Sequence, residues 1–141
     1  MVNEKGLKSK MLFKDMISDK EWYVSKNDDG SYAIVNPYHT AVYIVRHTYP
    51  FNDGFLKSHQ SIIKEMTANM DTLIDLEGIY PAGKFWNVSD DINAPYFDDK
   101  FVKYLDVKHL SFKLSSDGKL LYAFTDKDLV AIIAGIVPIK N

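Results

Sequence analysis

The sequence predicts an α+β fold, an antiparallel sheet with two or three helices packed on one face, and three observations carry that expectation. β-prone runs flank Asp-Gly turns at "NDDG" and "SSDGK". Apolar stripes at helical spacing occur in segments apart from those runs, which suits helices laid on an antiparallel sheet rather than strict βαβ alternation. The stretch from Leu129 to Ile139 is apolar apart from Gly135, so both of its sides need cover.

Taken in order, residues 7–19 place Leu12, Phe13, Met16 and Ile17 on one arc, with Lys10 and Lys14 on the opposite edge, as in a short amphipathic helix. "EWYVSK", "SYAIVN" and "TAVYIVRH" read as two or three antiparallel strands. Between residues 52 and 78, Phe55, Ile62, Ile63, Met66, Met70 and Leu73 recur at spacings of three, four or seven, which predicts a second helix. Residues 80–95 hold two prolines and a glycine and read as loop. Phe97, Phe101 and Leu105 at i, i+4 and i+8, with Asp98 and Asp99 near the start and Lys108 near the end, predict a third helix over 94–109. Leu110, Phe112 and Leu114 then alternate with polar residues, "LLYAF" follows the turn, and the apolar segment closes the meander as a central strand.

Composition narrows the function classes. At 141 residues and 46% hydrophobic, the chain suits one domain, residues 1–141. A net charge of −2 gives no global basic field of the kind that marks nucleic-acid binders, so any such role must rest on local patches. Arg46 is the sole arginine, which disfavours a site built on several bidentate guanidinium contacts. The chain has no cysteine, lacks the apolar core of a signal peptide near its start, and contains no run of the roughly 20 apolar residues that cross a bilayer. These features predict a cytoplasmic protein with no membrane partner.

Catalysis finds no positive support in the motifs. His39, His47, His59 and His109 form no His-x-x-x-His pair, so a metal centre is not expected, and neither a phosphate loop nor a nucleophile elbow occurs. Asp90-Asp91 and Asp98-Asp99 are adjacent carboxylates rather than a spaced acid/base pair, and the second pair suits a helix start. No catalytic residue and no cofactor is expected. Nineteen aromatic side chains, nine Tyr, eight Phe and two Trp, are mostly core in a domain of this size, although "EWYVSK" and "GKFWNV" set aromatics beside lysines, as single-strand stacking would require.

Several segments resemble the bacterial DNA sliding clamps, the β-subunit family that tethers replicative polymerases. "DLEGIYPAGKF" is similar to that family's Gly, aromatic, Pro segment, and "DGSYAIVNPYHTAVYIV" resembles one of its strand-turn-strand stretches. "YFDDKFVKYLDV", "LSFKL", "LLYAFTD" and "AIIAGIVPIK" look like the end of such a clamp. The resemblance covers residues 22–45 and 77–140, about one clamp domain where the family's chain carries three. It implies a DNA-clamp-like, non-catalytic fold in which helix lysines, here Lys10, Lys14, Lys100 and Lys103, meet the phosphates of duplex DNA without sequence preference. One such domain cannot encircle DNA, so that role implies a homo-oligomer. The family also binds replication-protein peptides in an apolar pocket. The corresponding positions are Val137, Pro138 and Ile139, with Phe85 and Val88 beside them. The alternative is a small phage or mobile-element module that binds a protein through an apolar groove and takes no DNA.

Overall fold

The chain is described by a computed structural model over residues 3–19, 21–52, 54 and 56–138. Two antiparallel sheets organise it. The larger contains β1 (Tyr23–Lys26), β2 (Tyr32–Val35), β3 (Ala41–Val45), β4 (Ile74–Asp75), β8 (Ser111–Leu114), β9 (Leu120–Thr125) and β10 (Asp128–Ala134) in the order β1-β2-β3-β10-β9-β8-β4. The smaller contains β5 (Tyr80–Ala82), β6 (Phe85–Asn87) and β7 (Tyr96–Asp98), in that order.

The apolar segment after Leu129 forms the middle strand, as its two-sided hydrophobicity predicts. β10 pairs with β3 along one edge and β9 along the other. Ile132 and Ile133 are buried on opposite faces, and each contributes roughly 1.5–3 kcal/mol relative to an exposed position. Between Leu129 and Ala131 the register with β9 slips by one residue. Val130 is the extra residue, and the bulge turns both Val130 and Ala131 toward the same core. Past β10 the chain leaves the large sheet, and Ile136 pairs through its backbone with Tyr96 of the small one, at 2.8 and 3.0 Å.

Among the described residues, three α-helices cover the two faces of the large sheet. The α1 helix (Ser9–Ser18) buries Leu12, Phe13 and Met16, and with the single turn α3 (Asp99–Val102) it contributes to the core on one face, together with Val24, Tyr43, Phe97, Leu121 and Ile133. Ile17, assigned to the same apolar arc from sequence, is instead 63% exposed. The buried stripe is therefore narrower than the periodicity suggests. The α2 helix (Gln60–Thr67) lies on the opposite face, where Ile62, Ile63 and Met66 pack with Val35, Val42, Tyr122 and Ile132.

Three sequence expectations are corrected. The second helix is shorter than its pattern. After Thr67 the chain makes a 3-10 turn at Met70–Thr72, and Leu73 is already extended before β4, while Phe55 lies outside the described residues. The third helix is a single turn because Tyr96 and Phe97, both β-prone, pair with Asn87 and Trp86. Phe97, Phe101 and Leu105 still turn toward one core, but from a strand, a helical turn and a loop rather than one helix. Residues 80–95 contain the β5–β6 hairpin, closed at Gly83 with φ of 65°, rather than loop throughout. Among the described residues no helix is long and apolar enough to cross a membrane.

Candidate functional site

A groove of about 610 Å³ lies between α2 and the ends of β9 and β10. Its wall on the helix side is Ile62 and Met66, and its floor is Leu120, Tyr122, Ala134 and Gly135, closed at the end by Val137. Tyr122 fixes the wall to the floor. Its ring is buried, and its hydroxyl donates a hydrogen bond to the Met66 carbonyl, linking β9 to the last turn of α2. Burial, with the nearby Asp117 charge as a further cause, raises the phenol's pKa, so it stays a donor.

A polar rim surrounds that apolar floor. His39, Glu65, Asn69, Ser115, Ser116, Asp117 and Lys119 make it. Asp117 accepts hydrogen bonds from the Lys119 amide at 3.0 Å and the Ser115 hydroxyl at 2.7 Å, and these two bonds hold its carboxyl below the usual carboxylate range. The rim thus carries a firm negative charge beside Glu65, against the single ammonium of Lys119.

The residues expected to form an apolar peptide site divide between separate places. Val137 lines the groove and is 41% exposed. Pro138 is half-buried beyond it, and Ile139 lies outside the described residues. Phe85 is half-buried and packs edge-on against Tyr96, ring centroids 5.0 Å apart, and Tyr96 in turn pairs through its backbone with Ile136. Val88 faces a different recess, shared with Leu76, Tyr80 and the carboxylates of Asp75, Glu77 and Asp90. Ile62, Met66 and Tyr122 were missed as site residues because their sequence pattern is that of ordinary core. The pairing of β9 with β10 and the packing of α2 on that sheet face bring them beside Val137.

The four lysines expected to meet DNA are exposed, and α1 and α3 share a sheet face. Lys100 and Lys103 border a cleft of about 330 Å³ together with Asp15 of α1 and Asp19, its C-cap. Lys103 lies 3.4 Å from the Asp15 carboxylate. The same oxygen accepts from the Tyr104 hydroxyl at 2.5 Å. Burial first, and then the bond and charge of Asp15, push the Tyr104 pKa up, so that phenol remains a donor. Lys100 sits 6.0 Å from the ring of Tyr38. Two carboxylates therefore face two ammoniums across this cleft, whereas Lys10 and Lys14 stand outside its lining on α1.

The remaining candidates resolve individually. Asp98 caps α3 by accepting from the Lys100 amide at 2.9 Å, and Asp99 accepts from the Trp86 indole at 2.8 Å, which accounts for that acidic pair structurally. Asp91 accepts from the Asn93 amide in an exposed turn, with Asp90 exposed beside it. Trp22 is buried and Trp86 half-buried, so neither offers an open stacking face. The histidines are less scattered than the sequence suggests, since the rings of His39 and His59 lie 4.5 Å apart. Among the described residues no three His, Cys, Asp or Glu side chains gather as a metal site. Compared with known proteins, the chain matches no family model, no curated protein and no solved structure.

Proposed function

We propose that this chain is a non-catalytic interaction module that holds a short partner peptide in the groove between α2 and the ends of β9 and β10. The observation that carries the reading is an apolar floor inside a polar rim, at a volume of about 610 Å³, within the usual range of small-ligand pockets. Glu65 and Asp117 outweigh Lys119 on that rim, so the partner that fits carries an apolar anchor flanked by a basic residue. Val137→Asp places a charge at the mouth of the groove, where the wild-type side chain is 41% exposed and carries little of the fold. Binding of a fluorescent Leu- or Phe-anchored, Lys-flanked peptide is expected to weaken at least about tenfold in this variant, while the circular dichroism spectrum is unchanged. Equal affinity in the folded variant rejects the groove.

Exposure of all four helix lysines, on two helices that share one sheet face, favours a second reading, tethering of duplex DNA in the manner of the sliding clamps the sequence resembles. Such binding is driven by counterion release and falls steeply with salt, without sequence preference. The combined change of Lys10, Lys14, Lys100 and Lys103 to Ser is expected to abolish retention on duplex DNA at low salt. Retention equal to wild type removes this reading. Lys103 is the least available of the four, because a phosphate must compete with Asp15 for it.

A further inference from the structure

His39 and His59, far apart in sequence, meet beside the groove with ring planes 78° apart, and both pack edge-on against Tyr23, at 5.3 and 4.9 Å between ring centroids. Each is carried on a constrained stretch of backbone. His39 occupies the tight turn between β2 and β3 with φ of 58°. The Asn36 side chain closes that turn by accepting from the Thr40 and Ala41 amides at 2.8 and 2.9 Å, so the His39 backbone has little room to retreat. His59 is the N-cap of α2, a helix with no acidic residue in its first turn, and an imidazolium there opposes the positive end of the helix dipole.

Charges of both signs lie nearby. The Lys57 ammonium lies 4.8 Å from the centroid of the same Tyr23 ring. The groove carries Glu65 on α2 and, across it, Asp117 and Lys119 in the β8–β9 turn. The Ser61 hydroxyl lies 3.1 Å from His59 Nδ1.

We infer that the His39–His59 contact is a proton-operated latch on the groove. Neutral imidazoles hold the start of α2 against the β2–β3 turn. Imidazoles change charge between pH 8 and 5, and two cations at this spacing, beside a third on Lys57, repel each other. The contact then parts, the first turn of α2 loosens, and the groove that α2 walls opens. The consequence for peptide binding rests on the groove reading above, whereas the release of α2 does not.

Amide hydrogen exchange of the full chain at pH 8 and pH 5.5, corrected for intrinsic exchange, tests the latch without any peptide. The α2 amides are expected to lose roughly five- to tenfold in protection at the lower pH, while the β10 amides keep theirs. In a His39→Gln, His59→Asn variant the loss disappears, since Asn remains a good N-cap without a titrating charge. Should the pair of changes unfold the protein, His59→Asn alone carries the same expectation. Equal α2 protection at both pH values, a loss that persists in the variant, or an equal loss in β10 overturns the proposal.

Discussion

Replacing Phe97 with alanine is expected to lower the unfolding free energy by roughly 3–5 kcal/mol, the usual range for deleting a fully buried phenyl ring. Phe97 has no exposed surface, and it joins the core shared with α1, Tyr43, Leu121 and Ile133 although it belongs to the small sheet. Its ring is thus a main apolar link between the two sheets, next to the backbone pairing of Tyr96 with Ile136. The void left behind cannot collapse readily, because β7 is held in register by β6 and by that pairing. Urea denaturation followed by tryptophan fluorescence measures the change. A loss under about 1 kcal/mol would mean that the two sheets are not coupled through this ring.

Gly135→Ala is expected to cost roughly 1–3 kcal/mol for the opposite reason, overpacking. A β-carbon at residue 135 would stand 2.5, 2.7 and 2.9 Å from three carbons of the Phe97 ring, well inside contact distance. A fully buried ring has nowhere to move. Gly135 also donates its amide to the Lys119 carbonyl at 2.9 Å, which keeps the backbone from backing away. The two sites are therefore coupled. In a Phe97→Leu background the cost of Gly135→Ala should shrink by at least about 0.5 kcal/mol, and additive costs in the double-mutant cycle would show that the methyl group is accommodated elsewhere.

Much of the large sheet is legible in the sequence, for reasons that can be traced residue by residue. Strands β1 to β3 and β8 to β10 announce themselves through β-prone runs between turns whose residues suit them, with Gly30 and Gly118 at φ of 88° and 76°. The central place of β10 follows from its having no polar side, since an edge strand with Ile132 and Ile133 on opposite faces would leave one of them in water. The small sheet is hidden. Its strands have three residues each, β5 is exposed along its whole length, and Pro81 sits in it, so neither alternation nor burial leaves a signal.

The third helix misleads for a related reason. A spacing of four puts Phe97 and Phe101 on one side of a helix, yet a strand end followed by one helical turn turns them toward the same core. The groove could not be read from local pattern at all. Met66, Tyr122 and Val137 come from three distant segments, and nothing in the spacing of any one of them distinguishes a wall from a core. The lysines were legible as exposed positions, but the carboxylates of Asp15 and Asp19 that face Lys100 and Lys103 come from α1 and the residue that ends it.

Because β10 follows both β3 and β9 in chain order and lies fourth across the sheet, a ribosome delivers the keystone after the two strands it must join. The β1–β3 meander and the β8–β9 hairpin can each zip up early through short-range contacts, but their facing borders, β3 and β9, wait with bare amides and carbonyls until residues 128–134 arrive. A nascent chain stalled before that point exposes two sticky margins at once, the condition under which chaperones are recruited and neighbouring chains cross-pair.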